Sequence, residues 1–358
     1  MLGLRYVNDK KCILKLNNLQ FKMKKQIEQK VKQQVYVFEK VPCAVCGGHR
    51  HKLLAEKDRY GLYMSVVICE DCGLIQTNPR MTQCAYNEFY NSEYRKLYVG
   101  IEEPDNRFFQ AQYKKGRRIS EWIRKNNFKK NFEQMFVLEI GCGAGGLLKY
   151  FKDMGCRVKG IDLGSSYIEY GQKHYNLDIS VGTIDTLYLH EEPDLIIYSH
   201  VLEHILSPNE ELKKIYNILS DRGLLYIEVP GVKNLMNSYE MDFLRLLQNA
   251  HTFHFTLKTL INLLKKNDFE FLQGNEIIYS VFKKAKAVKK TSKKIENDFS
   301  DAMAYLQRLE FYRKFFPFPP YKISSLTKSI IIKFLEKIGM FDSARDLYQK
   351  LKKLKQNK

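Results

Sequence analysis

Residues 137–146 read VLEIGCGAGG. The apolar run VLEI has the composition of a buried strand. Gly141, Gly143, Gly145 and Gly146 follow it, and then comes LLKYF, whose apolar residues recur at helical spacing. A chain that turns sharply from strand to helix needs residues without Cβ, and only there can backbone N–H groups approach a ligand closely. The stretch therefore marks a nucleotide-type cofactor site at the end of a strand.

Outward from this turn the period keeps switching. RVKGIDL, DISVGTI, DLIIYSH and LLYIEVP read as further strands, and SSYIEYGQKHYN and PNEELKKIYNILSDRG as helices between them. Alternation of apolar strands with helices implies an α/β fold with a parallel, doubly wound sheet. Upstream, RFFQAQYKKGRRISEWIRKNN reads as a helix leading into the core. Downstream, NLMNSYEMDFLRLLQNA reads as a long helical insertion, followed by HTFHFT, the helix LKTLINLLKKN and the strand-like runs FEFLQG and EIIYSVFKKA.

The glycine spacing alone also fits a dinucleotide fingerprint. Glu139, two residues before the first glycine, suits a cationic ligand with an amino group and would repel a pyrophosphate. Asp162, at the end of the next strand, can accept both hydroxyls of a ribose, which serves either cofactor. Later segments discriminate: PDLIIYSHVLEHI, LLYIEVPG and HTFHFT. With these, roughly residues 105–285 resemble class I S-adenosylmethionine (SAM)-dependent methyltransferases, the large group whose fourth strand runs into an HVLEH-type loop. The resemblance implies a mostly parallel, seven-stranded, Rossmann-like sheet whose last two strands form an antiparallel end. It also implies SAM as cofactor, held by Glu139, Gly141, Cys142, Gly143, Gly145, Asp162, Leu163, Thr183, Ile184, Asp185, Ser199 and His200.

Cys43-x-x-Cys46 and Cys69-x-x-Cys72 are two knuckles, each followed by a glycine. Four soft thiolates at this spacing suit a structural Zn²⁺, with iron as the competing ion. Cys12, Cys84, Cys142 and Cys156 are scattered, and thiols used this way fit a reducing, cytoplasmic compartment. The pattern CAVCGG…VVICEDCGLIQTNPR…FY…Y, with the tyrosines after NPR, resembles the N-terminal zinc module of bacterial methyltransferases, many of them associated with sugars and surface polysaccharides. That likeness implies a small-molecule or glycan acceptor.

The 358 residues carry a formal charge of +19 with 44% hydrophobic residues, enough for a sizeable core in one large domain or two. No apolar run long enough for a transmembrane helix occurs, and Lys and Asn break up the N-terminal stretch where a signal-peptide core would lie. The charge is either a solvated, lysine-biased surface or a weak attraction to an anionic membrane or another polyanion; nucleic acid is less favoured, since no arginine–aromatic clusters interleave with the lysines. Four regions result: a basic segment at 1–38, either a loosely attached helix or a poorly ordered tail; a zinc module at 39–88; the methyltransferase domain at 105–285; and a basic helical extension at 286–358. From NEFYNSEYRKLY to GIEEPDN, between the zinc module and the domain, the chain is aromatic and then polar and reads as a linker.

Candidate chemistry centres on histidines. His200, Glu203 and His204 follow the fourth strand, and His251 and His254 follow the fifth. A hydroxyl acceptor needs a base or a metal. His204, or one of His251 and His254, can be the base. The HxxEH cluster also looks like the metal site of ubiquinone-biosynthesis and small-RNA 2′-O-methyltransferases, with His200 in place of a first Glu. A purely structural role for these residues is the third reading. The expected reaction is O-methylation of a sugar or glycan intermediate, with N-methylation of an amino sugar and C-methylation as alternatives. The rivals are an RNA-directed methyltransferase and a zinc-ribbon adaptor that binds nucleic acid.

Overall fold

The computed structural model describes residues 1–100, 105–285 and 294–315. The lysine-rich run at 286–293, FPFPPY and the helix expected from SLTKSIIIKFLEKIG lie outside the described residues.

The central sheet has seven strands: β1 Phe136–Ile140, β2 Arg157–Asp162, β3 Ile179–Val181, β4 Leu195–Ser199, β5 Leu224–Glu228, β6 Phe269–Gly274 and β7 Tyr279–Lys284. Across the sheet they lie in the order 3-2-1-4-5-7-6. Strands β1 to β5 are parallel, and β7 runs antiparallel between β5 and β6. Alternate residues serve opposite faces. Val137, Leu195 and Ile197 pack with Phe109, Ile119, Leu147 and Ile168 of the helices Asn106–Lys125, Gly146–Asp153 and Ser165–Tyr175. Leu138, Ile140, Ile196 and Tyr198 pack with Leu212, Ile215, Leu260 and Leu263 of the helices Pro208–Ile218 and Leu257–Lys266. The doubly wound reading is borne out. The strand order reverses between β1 and β4, so the loops after these strands part and open a crevice at their carboxyl ends.

The cysteine knuckles belong to a second, antiparallel sheet of four strands. Three come from His51–Lys57, Tyr63–Cys69 and Ile75–Thr77, and the fourth is Phe253–His254, which pairs with Gln76 and Ile75. The module expected at 39–88 therefore does not close on itself. It is also tied to the core by hydrogen bonds from Asn209 Nδ2 and Lys266 Nζ to the Ala44 carbonyl, at 2.9 and 3.0 Å.

Three further sequence expectations change. The N-terminal segment is docked: Asn17 and Gln20 form a capping box for the helix Asn18–Lys32, Met23 and Ile27 are buried, and Arg5 pairs with Asp242 at 2.7 Å. The long helical insertion is instead a run of short 3₁₀ turns and one helical turn, Phe243–Leu246, because Tyr239, Glu240 and Met241 all adopt left-handed φ angles. The aromatic first half of the expected linker is helical, from Gln83–Phe89 through a π-helical turn, Tyr90–Tyr94, to Arg95–Val99, while residues 101–104 of its polar half lie outside the described residues. Beyond β7 the helix Phe299–Phe315 buries Ala302, Leu306 and Leu309 against Val232, Leu235 and Phe243. No helix among the described residues is long and apolar enough to cross a membrane.

Candidate active site

A cavity of about 940 Å³ opens at the crevice, near the top of the ~300–1,000 Å³ range for small-molecule sites. At one end stands the glycine turn. Gly141 has φ 74°, and a Cβ there would sit 2.3 Å from Val201 Cγ2; Gly143 has φ 54°. Side chains are thus excluded where the backbone lines the cavity. The turn is clamped to β2: Gly141 N–H and Cys142 N–H donate to the Ile161 carbonyl at 2.8 and 3.0 Å, and Gly143 N–H to Asp162 Oδ2 at 2.9 Å.

Asp162 is heavily used. Its Oδ1 accepts from Gly164 N–H and from Arg95 Nη2, both at 2.7 Å, while the Arg95 guanidinium lies 4.1 Å from the centre of the Tyr167 ring. Two ribose hydroxyls can claim this carboxylate once Arg95 yields. Glu139 is buried on β1, and its Oε2 has no hydrogen-bond partner. Burial pushes its carboxyl well above the usual range, with Lys115 opposing and Asp162 adding to the rise. An unsatisfied buried acceptor beside a glycine turn fits a ligand ammonium.

Leu163, Thr183, Ile184, Asp185, Ser199 and His200 line the cavity with Gly141, Gly143 and Asp162. Asp185 is ion-paired to Lys214. Glu139, Cys142 and Gly145 stand behind the lining rather than in it. Gly145 instead caps the helix Gly146–Asp153 in a left-handed conformation.

Glu203, His204 and His251, all buried, line the cavity as well. His200, at φ 60°, is held in a conformation uncommon for a side-chain-bearing residue, with its N–H on the Glu228 carbonyl at 2.8 Å. Its ring spans two acids, Nδ1 at 3.5 Å from Glu203 and Nε2 at 3.3 Å from Glu228. Burial works against a charged His200, but its pairing with the Glu203 and Glu228 carboxylates outweighs this and raises its pKa. Burial alone would raise the Glu228 carboxyl; its hydrogen bond to His200 and the charges of His200, Lys115 and Arg118 hold it down at about 2. His204 and His251 are pushed the other way, chiefly by burial, and favour the neutral imidazole. Both Glu203 oxygens and His204 Nδ1 lack hydrogen-bond partners, although the Nε2 atoms of His204 and His251 each lie 3.9 Å from Glu203.

His254 is a correction. It sits on the short strand of the second sheet, does not line the cavity, and packs against Phe243 and His251. Strand alternation turns neighbouring side chains to opposite faces, so a histidine in that strand does not share the setting of His251, which precedes it.

Sequence reasoning missed the cavity's third wall. Tyr86, Tyr90, Tyr94 and Tyr98 come one helical turn apart on the helical stretch 83–99. Tyr90 and Tyr94 stack at 4.5 Å, and both present rings to His204 at 6.0 and 5.5 Å. The four-residue spacing was a visible signal. Arg59, Arg95, Lys115, Tyr239 and Gln248 also line the cavity and carried none.

The four cysteine Sγ atoms lie within 4.8 Å of one another, with Cys43–Cys72 and Cys46–Cys69 both at 3.4 Å. Gly48 N–H donates to Cys46 Sγ at 3.4 Å.

Residues 109–273 match the family model described as a methyltransferase domain. The chain is 26% identical over 214 residues to a malonyl-[acyl-carrier protein] O-methyltransferase of Priestia megaterium, a match spanning 53% of this chain and 77% of that protein. It is 33% identical over 102 residues to a ubiquinone biosynthesis O-methyltransferase of Glaesserella parasuis, spanning 25% of this chain and only 43% of that protein. A solved SAM-dependent methyltransferase from Clostridium acetobutylicum aligns at 14% identity over 56% of this chain and 99% of that one, with a TM-score of 0.38. The sheet order, the glycine turn clamped to an acid on the next strand, and the family match identify residues 109–273 as a class I SAM-dependent methyltransferase domain.

Proposed function

We propose that the chain O-methylates a hydroxyl of a sugar or glycan intermediate in a reducing, cytoplasmic setting. The observation that carries this reading is one continuous cavity lined both by the cofactor residues and by the buried Glu203, His204 and His251, with His200 3.5 Å from Glu203 where the two sets meet. The relatives named O-methyltransferases support oxygen as the acceptor atom, and the tyrosine wall supplies flat faces against which a pyranose ring can pack.

Bound SAM supplies a methyl carbon on a positively charged sulfur. The chain's own work is to hold the acceptor in line with that carbon and take its proton. Asp162 and the glycine turn position the cofactor, and Glu139, behind the lining, orients the turn and the cofactor's amino group indirectly. His204, neutral and with a free Nδ1, accepts the proton that leaves the hydroxyl oxygen as that oxygen bonds to the methyl carbon. Glu203 stabilises the imidazolium that results. The cysteine cluster fits a structural zinc: a tetrahedral ion with bonds of ~2.3 Å sets sulfurs about 3.8 Å apart, close to the 3.4 Å separations found.

Calorimetry with SAM, S-adenosylhomocysteine and NAD tests the cofactor. The first two are expected to bind and NAD to fail; the reverse pattern overturns the reading. Asp162→Ala is expected to weaken SAM by roughly 10- to 100-fold, the loss of charge-assisted hydrogen bonds.

One observation favours a second reading of the catalytic end: Glu203, His204 and His251 each offer a ligand atom within 4.8 Å of the others. A divalent ion there would lower the acceptor hydroxyl's pKa. On this reading a chelator stops turnover and a divalent ion restores it; turnover that survives chelation leaves the histidine base.

A further inference from the structure

We infer that the acceptor carries an anionic group, a carboxylate or a phosphate, and that Arg59 receives it beside the reacting hydroxyl. The inference rests on the methyltransferase reading above and names the acceptor's chemical class.

Arg59 stands in the turn between the strands His51–Lys57 and Tyr63–Cys69. Only 8% of it is exposed, yet it lines the cavity. Other arginines of the fold, though more exposed, have acids: Arg5 pairs with Asp242, Arg95 with Asp162 and Arg118 with Glu228, each at 2.7 Å. Among the described residues, no carboxylate lies within ion-pair distance of Arg59. Its partners are neutral: Gln248 Oε1, the Tyr60 hydroxyl at 3.1 Å and the Arg245 carbonyl at 3.3 Å. Its Nε is buried without any partner. A buried cation lacking a counter-charge is costly unless a ligand supplies one.

The neighbouring acid is committed elsewhere. Asp58 accepts from Tyr60 N–H and Leu62 N–H, both at 2.9 Å, and from Asn249 N–H and Nδ2 at 3.3 and 3.1 Å. These bonds fix the turn rather than neutralise the guanidinium. Arg59 N–H donates to the Leu247 carbonyl at 3.0 Å, and the guanidinium lies between the rings of Tyr60 and Tyr98 at 5.1 and 5.3 Å. The cation is therefore pre-organised, which lowers the cost of meeting an oxyanion.

Its position relative to the chemistry follows from Gln248. That amide accepts from Arg59 Nη2 through Oε1 and contacts His251 Nε2 through Nε2. One side chain thus separates the free cation from the histidine group. An acceptor with its anion on Arg59 and its ring along the tyrosines would present a nearby hydroxyl to His204. A uronic-acid-type sugar offers a carboxylate at that distance; a sugar phosphate or nucleotide sugar offers a phosphate.

The full chain, zinc-loaded and saturated with S-adenosylhomocysteine, is titrated with glucuronate, glucose 1-phosphate, UDP-glucose and neutral methyl glucoside. At least one anionic probe is expected to bind roughly 10- to 100-fold more tightly than methyl glucoside, the range for hydrogen bonds to a charged group, and whether it is glucuronate or a phosphate identifies the source. Arg59→Gln should erase the difference while zinc content and S-adenosylhomocysteine affinity stay unchanged. Where that variant loses zinc, Arg59→Lys decides, since it keeps the charge and should retain a reduced preference for the anion. Equal binding of neutral and anionic probes, no binding of any anionic probe, or an anion preference untouched in Arg59→Gln would overturn the inference. Failure of S-adenosylhomocysteine to bind would instead count against the methyltransferase reading, and the probe titrations without it would still report on Arg59.

Discussion

His204→Ala is expected to lower turnover by about 10²- to 10⁴-fold, the contribution of a positioned general base, with SAM affinity unchanged. The imidazole is buried, neutral and packed edge-on against His251 at 4.7 Å, so its orientation is fixed before the acceptor arrives. Its loss removes the proton acceptor and little of the cofactor contact, because the glycine turn at Gly141 and Gly143 and the Asp162 carboxylate hold the cofactor. Single-turnover assays alongside SAM calorimetry separate the two effects. Glu203→Gln keeps the shape and removes the charge. It should cost less than His204→Ala if Glu203 only steadies an imidazolium, and as much or more if it ligates a metal. Full turnover in both His204→Ala and His251→Ala would leave the cluster a structural role.

Cys69→Ser is expected to empty the cysteine site and abolish turnover, although the methyltransferase domain keeps its cofactor. Structural zinc contributes apparent binding energies of about 10–16 kcal/mol in small modules, as much as the ~5–15 kcal/mol that holds a whole domain folded. Without the ion the strand Tyr63–Cys69 loses its anchor, and Arg59 sits on the turn leading into that strand. The effect also spreads to the far end of the described chain: Asp298 N–H donates to the Cys72 carbonyl at 3.1 Å, and buried Asp298 receives Lys233 at 2.8 Å and Thr256 Oγ1 at 2.6 Å. Metal analysis should fall from about one zinc per chain, the four-ligand structural stoichiometry, to none. SAM affinity should stay within about twofold, as for distant sites that do not couple. A metal-free variant with normal turnover would remove the cysteine cluster from the working enzyme.

The features legible in the sequence were those set by short-range rules. The glycine turn follows its strand directly, each cysteine knuckle spans four residues, and β1 to β5 announce themselves by apolar runs between amphipathic helices. What stayed hidden depended on distant partners. Phe243, Leu244, Leu246 and Leu247 are all buried, so no solvent-facing stripe revealed that their stretch is mostly 3₁₀ turns. His254 resembled His251 in spacing, and only its place in the second sheet distinguishes them. Arg59 is one of many basic residues until the structure shows it buried without an acid. The tyrosine wall was the avoidable miss, because its recurrence every four residues is a helical pattern.

The fourth strand of the small sheet also governs the order in which the protein can be assembled. Phe253 and His254 pair with Gln76 and Ile75, so the two halves of that ladder are separated by all of β1 to β5. During synthesis the cysteine knuckles can close as soon as Cys72 has emerged, yet the sheet that carries them waits until residue 254 is made. Contacts so far apart in the chain pay their loop-closure entropy late and slow the final step. Between those two moments the edge of Ile75–Thr77 is exposed and unpaired, a surface prone to mispairing with another chain. Late strand addition makes the nascent chain, rather than the finished fold, the stage at which the small sheet is most open to mispairing.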